Sequence, residues 1–170
     1  MADGNFEKCL KFVLQFEGGF VNNPKDPGGA TNFGVTQATL SAFIGRQATI
    51  DEVQALTPDK VAPIYRLKYW DHVSGDALPL GVDLAVFDFG VHSGPSRGAM
   101  GLQRALQLAD DGKIGPLTLG AAQAADPAAT IEAICDERLA FLQQLKVFES
   151  FGAGLTNRVT KCRAAALSMV

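Results

Sequence analysis

Residues 80–92, LGVDLAVFDFGVH, are apolar nearly all the way round a helix. A helix with that pattern has no face to give to water, so other elements must enclose it. The requirement points to a fold built around one central buried helix, and the flanking segments can supply the enclosure. Residues 5–17 place Phe6, Cys9, Leu10, Val13 and Phe16 at three- and four-residue spacing, with Asn5 or Asp3 as cap. Further helices are expected from Thr36 or Gln37, after Thr49, after Thr57 with Pro58 in the first turn, over 97–109, and from Leu117. Asp126-Pro127 opens a long helix to about Phe148, with Ile131, Ile134, Cys135, Leu139, Leu142 and Leu145 inward, and a last helix covers about 155–168. Between 20 and 36 Pro, Gly and Asn dominate, and TNFGVT suits a short strand or tight turn. The fold class is therefore mainly α, with one small irregular or β-hairpin region near residues 20–36, in a single domain spanning 1–170.

Composition excludes several functions. A hydrophobic fraction of 47% with 19% charged residues is that of an ordinary globular chain. The net charge is -3 and no dense basic run exists, so nucleic acid is not an expected partner. Cys9, Cys135 and Cys162 are odd in number and far apart, which fits reduced, buried thiols and leaves a single bridge open. Only His72 and His92 are present, neither at metal-ligand spacing, so no metal or other cofactor is expected. No G-x-S-x-G or phosphate-loop motif occurs. Cys9 paired with His92 as a thiol hydrolase competes with Cys9 as a core residue, and the core reading is the stronger because free cysteines are commonly buried. No apolar run has the form of a signal peptide or the ~18 residues of a membrane span. The chain thus reads as a monomer made in the cytoplasm and not embedded in a membrane. A holin or a dedicated secretion system would have to release it toward any target outside.

The residues that attract chemistry begin at Glu17. It lies four residues from Val13 and seven from Leu10, on the apolar face, at the negative end of the helix dipole. Both effects oppose ionisation and suit a general acid; the alternative is a glutamate at a frayed helix end. Asp26 and Thr31 follow in a loop where Gly28 and Gly29 let backbone pass close to a bulky sugar. A pair of carboxyl groups is the usual equipment of a glycosidase, although Asp before Pro-Gly is also a common turn-former. Asn22, Asn23 and Asn32 offer amides suited to hydroxyl and acetamido groups. In the cluster of Tyr65, Tyr69 and Trp70, core packing is the general reading and Tyr69 the better candidate for a cleft wall. Asp83 and Asp88 fall inside the buried helix, where a carboxylate must be paired. His92 is four residues from Asp88 and could bond it, and Arg138 is a candidate partner for a buried carboxylate.

The stretch EGGFVNNPKDPGGATNFGVT (17–36) resembles the signature of glycoside hydrolase family 108, N-acetylmuramidases found in phage lysis cassettes and beside secretion systems. The similarity continues through YRLKYWD (65–71), LPLGVDLAVFDFGVHSGP (78–95), LQRAL with DGKIGPLT (102–118), and RLAFLQQLKVFESFGAGLTNRV (138–159), covering nearly the whole chain. The resemblance implies a lysozyme-like helical fold, a catalytic region over 1–95, and a helical region over 96–170 like a predicted peptidoglycan-binding region. It implies that Glu17 is the catalytic acid and that the substrate is the glycan of peptidoglycan, cut between N-acetylmuramic acid and N-acetylglucosamine. Glu17, Asp26 and Thr31 are spaced like the Glu, Asp, Thr layout of phage-type lysozymes, one residue short before the Thr, which leaves the roles of Asp26 and Thr31 open. His92 stands where the family pattern has Asn before Ser-Gly, and Leu155 where a Trp often follows F-G-x-G; His92 could thus alter substrate contact. Asn22, Asn32, Tyr69 and His92 are the expected substrate-binding residues. A non-catalytic wall-binding or secretion-assisting protein, and a lytic transglycosylase, are the alternatives.

Overall fold

A computed structural model describes residues 4–23 and 28–170. The chain has a mainly α, lysozyme-like fold with one small antiparallel hairpin. Its elements are α1 (Phe6–Leu14), β1 (Thr31–Asn32), β2 (Val35–Thr36), α2 (Gln37–Ile44), α3 (Ile50–Gln54), α4 (Pro58–Tyr65), α5 (Val82–Ser93), α6 (Pro95–Ala105), α7 (Pro116–Ala124), α8 (Pro127–Gln143) and α9 (Phe148–Leu167). A π-helical turn, Arg66–Trp70, and two 3-10 turns, Asp71–Val73 and Gly75–Ala77, connect α4 to α5. Two units divide the chain, Leu10–Leu67 and the remainder.

In the unit Leu10–Leu67, short helices start where the sequence offers hydroxyl caps. The side chains of Thr36, Thr49 and Thr57 accept from the backbone N–H groups of Thr39, Glu52 and Lys60. At Thr49 the cap is reciprocal, because Glu52 accepts from the Thr49 N–H at 2.8 Å. Each cap contributes about 1 kcal/mol to a helix too short to stand alone. Buried Leu40, Val53, Leu56, Val61 and Ile64 form its apolar interior.

The other unit is organised around α5, where every residue from Val82 to Gly90 is buried. Close approach to α6 depends on missing side chains: a Cβ on Gly98 would stand 2.6 Å from the Val86 carbonyl oxygen and 2.9 Å from the Gly90 nitrogen. Trp70 is fully buried and meets Phe6 and Phe87 edge-on at 5.3 and 5.2 Å, so it is core, while its indole N–H donates to Asp76 at 2.9 Å. Asp83 accepts from the Asn5 amide at 2.7 Å.

Asp88, fully buried on α5, holds Arg138 Nη1 of α8 at 2.5 Å and Arg158 Nη2 of α9 at 2.7 Å. The Asp88 partners are thus two arginines rather than His92, whose Nδ1 is buried without a hydrogen-bond partner among the described residues. The DGKIGPLT stretch is a turn stitched from within: buried Gln103 donates to Asp111 at 2.8 Å and to the Lys113 carbonyl at 3.0 Å, and accepts from the Gly112 N–H at 2.9 Å.

Several boundaries differ from expectation. Helix α1 stops at Leu14, not 17, and its last turn tightens as the N–H groups of Gln15, Phe16 and Glu17 bond three residues back. Helix α8 ends at Gln143, and α9 begins at Phe148 rather than near 155. Gly152, inside α9, lies under the Phe148 ring, where a Cβ would come within 2.9 Å of it.

Candidate active site

The site lies within the unit Leu10–Leu67 and is assembled on the hairpin. Strands β1 and β2 pair Thr31 with Thr36 and Asn32 with Val35, leaving Phe33 and Gly34 as the two-residue turn. Both turn residues have positive φ, 48° and 70°, the arrangement that matches the twist of a tight hairpin. Gly adopts it freely, but a bulky aromatic does so only under restraint. The restraint is visible at both ends of Phe33. Its N–H donates to the Gly18 carbonyl at 3.0 Å, and its carbonyl accepts from the Tyr65 hydroxyl at 2.8 Å.

The Gly18 bond brings the segment after α1 onto the hairpin, and a bridge from Val21 to Thr31, with two 2.8 Å bonds, continues that alignment. Glu17 is thereby carried to the turn. A Cβ added to Gly34 would stand 2.7 Å from Glu17 Oε2 and 2.5 Å from the Tyr65 hydroxyl oxygen. The carboxylate and the phenol therefore converge on the bare face of Gly34. Gly34 is exposed and Glu17 half-buried, so the carboxyl is reachable from solvent. Glu17 lies past the end of α1 in the tightened turn, rather than on the helical stripe that the spacing suggested.

The remaining expected residues are dispersed in role. Asp26 lies outside the described residues. Thr31 is half-buried on β1, its backbone bonded to Val21 on one side and Thr36 on the other. Asn22 is exposed directly after Val21. Asn32 departs from its expected part in sugar recognition: it is buried, and its amide nitrogen donates to the carbonyls of Val53 and Gln54, both at 3.1 Å. It ties the hairpin to the end of α3, and its amide hydrogens are engaged there.

Tyr69 and His92 belong to the other unit. Tyr69 is half-buried with the Lys68 ammonium 5.4 Å from its ring centre. His92 lines a cavity of about 340 Å³ with Ser93, Arg97, Phe141 and Leu155. Burial first, then the Arg138 and Arg158 charges, pull its pKa down to about 4. His92 is therefore neutral near pH 7 and offers a hydrogen bond rather than a charge. Cys9 is no nucleophile, since burial first and Asp83 second push its thiol far up.

Sequence reasoning missed Tyr65, which it placed with the core cluster. Its ring is buried, as expected, but the phenol tip reaches the hairpin. The available signal was its position at the last residue of an amphipathic helix, where a tyrosine can bury its body and present its tip.

No curated protein matches the chain. Among solved structures, that of Brucella abortus SagA is similar at 48% identity and a TM-score of 0.86, over 99% of this chain and 97% of that one. The model of the family described as glycosyl hydrolase 108 matches residues 10–94, a span that contains Glu17, the hairpin and Tyr65. With that match over the residues that build the site, and that relative over nearly its full length, the chain belongs to glycosyl hydrolase family 108.

Proposed function

We propose that this protein is a peptidoglycan hydrolase that cleaves the β-1,4 bond between N-acetylmuramic acid and N-acetylglucosamine, with Glu17 as general acid. The observation that carries the reading is the solvent-reachable Glu17 carboxyl beside the Tyr65 hydroxyl, over a glycine with no side chain to block a sugar. Glu17 in its acid form protonates the glycosidic oxygen as that oxygen leaves the anomeric carbon. The tightened turn after α1 and the Gly18 to Phe33 bond fix the carboxyl, so little reorganisation accompanies proton transfer. Tyr65, its hydroxyl hydrogen on the Phe33 carbonyl, presents its hydroxyl oxygen to the same face of Gly34 as the carboxyl.

Asp26 and Thr31 are assigned to the attacking water and to the positive charge that develops on the sugar ring. A carboxyl separation of ~5–5.5 Å gives retention and ~6.5–9.5 Å inversion, and inversion is the outcome we assign. The enzyme acts where the glycan is, on the wall side of the membrane. Among the described residues no helix is long and apolar enough to cross a membrane.

Mass spectrometry of fragments released from purified peptidoglycan tests the reading. Fragments ending in reducing N-acetylmuramic acid are expected. Reducing N-acetylglucosamine ends would assign the other glycosidic bond, and anhydromuramoyl ends a transglycosylase. Sedimentation with the wall without release would make the protein a binder only.

A further inference from the structure

The cavity beside His92 lies wholly within the unit built around α5, and its polarity is divided by the elements that line it. Its polar lining, His92, Ser93 and Arg97, comes from the junction of α5 and α6. Its apolar lining comes from α8, the turn after it and α9, through Phe141, Leu145 and Leu155. At about 340 Å³ it falls at the lower end of the ~300–1,000 Å³ range of small-molecule sites. His92 and Leu155, the two departures from the family pattern, share this one space.

The charge around the cavity has one sign. The Arg97 guanidinium carbon lies 4.3 Å from the Phe141 ring centre, and among the described residues Arg97 pairs with no carboxylate. A guanidinium over an aromatic face keeps N–H groups free to take a carboxylate in two bonds. Asp88, Arg138 and Arg158 each sit one helical turn from a residue of the cavity wall, namely His92, Leu142 and Leu155. Two arginines on one aspartate leave one positive charge uncompensated. Arg138 Nε and Nη2 are moreover buried with no hydrogen-bond partner among the described residues. That field reaches the wall: after burial, the Arg138 and Arg158 charges outweigh Asp88 in holding the His92 pKa down at about 4. Walls of low dielectric strengthen it.

We infer that this cavity binds a small carboxylate carried on an apolar body, the carboxylate at Arg97 and Ser93 and the body against Phe141, Leu145 and Leu155. A cation would meet Arg97 and the buried excess charge, and a polyol would set unpaired hydroxyls against the leucines. The neutral His92 ring has one N–H to give to the same carboxylate. The C-terminal carboxylate of a short apolar peptide, such as ends a wall peptide, and a free aliphatic acid share this chemistry. The inference stands on the cavity and does not depend on the glycosidase reading.

The test titrates the parent protein with N-acetyl-D-alanyl-D-alanine and with hexanoate, each beside its neutral amide, and follows the ring protons of His72 and His92 by NMR. A saturable shift of the His92 signals with His72 unmoved is expected from at least one acid, its amide binding about tenfold more weakly. Tighter binding of the dipeptide assigns a peptide terminus, and tighter binding of hexanoate a free acid. Arg97→Gln, at an exposed position, should weaken the acid about tenfold at an unchanged thermal midpoint. Leu155→Trp should abolish binding by filling the cavity. No saturable His92 shift with either acid, equal affinity for acid and amide, or parent affinity in Arg97→Gln would overturn the inference. The first two outcomes are read on the parent protein, so they do not depend on how a variant folds, and none requires turnover of peptidoglycan.

Discussion

Glu17 and Asp88 show how differently one chain can hold a carboxyl group. Asp88 is fully buried on α5, and two arginines pull its pKa down against the opposing effect of burial. Glu17 is half-buried in a tightened turn, beside a phenol and an exposed glycine. The first arrangement closes every approach to the charge, and the second leaves one. A charge that shapes the fold is neutralised from all sides, whereas a group that gives up a proton must keep one side open to the acceptor.

Substitutions at the two positions should therefore fail in opposite ways. Asp88→Asn leaves two arginines without their shared counter-charge, and a stability loss of roughly 3–5 kcal/mol is expected from denaturant unfolding. Any fall in activity should track the unfolded fraction. Equal stability of parent and variant would break the contrast. At the hairpin, Gly34→Ala drives a methyl into Glu17 and Tyr65 and forces a non-glycine residue into φ +70°. Loss of most activity is expected at a stability cost of about 1–2 kcal/mol. Parent-like kcat/KM in that variant would remove the convergence on Gly34 from the account.

A third prediction sharpens the comparison through pH. The folded pKa of His92, about 4, lies below its ordinary 6.5. The unfolded chain binds that proton first as pH falls, so the stability contributed by neutral His92 is full above 6.5 and lost between 6.5 and about 4. The loss is on the order of 2 kcal/mol once partial exposure is allowed for. His92→Asn should flatten the unfolding-against-pH curve in that window and leave the further loss below it, where Asp88 is protonated. An unchanged curve would contradict the assignment. The smallest effect is expected at Tyr65→Phe, which loses the bond to the Phe33 carbonyl, a contribution of about 1 kcal/mol. Its activity should fall about tenfold through kcat rather than KM, since the lost bond anchors the turn on which Glu17 and the Tyr65 hydroxyl converge.

Much of this was legible in the sequence where local chemistry decides. The caps at Thr36, Thr49, Thr57 and Asp126 announce their helices, and the unbroken apolar run announces α5. The Glu17 motif carries the family. What escaped reading depends on contacts distant in sequence. Nothing local says that Asp88 prefers Arg138 and Arg158 to the histidine four residues away. Nothing local says that Asn32 is needed by Val53 and Gln54, or that Tyr65 reaches back to Phe33. The start of α9 at Phe148 escaped for the same reason: Gly152 packs under Phe148, and such packing outweighs the low helix propensity of glycine.

The most direct measurement compares reducing-end release from purified peptidoglycan by the parent and by Glu17→Gln, with thermal unfolding recorded on both. The account predicts a kcat lower by roughly 10²–10⁴-fold at an almost unchanged midpoint. Parent-level kcat in the folded variant would contradict it, whatever bond the enzyme proves to cut.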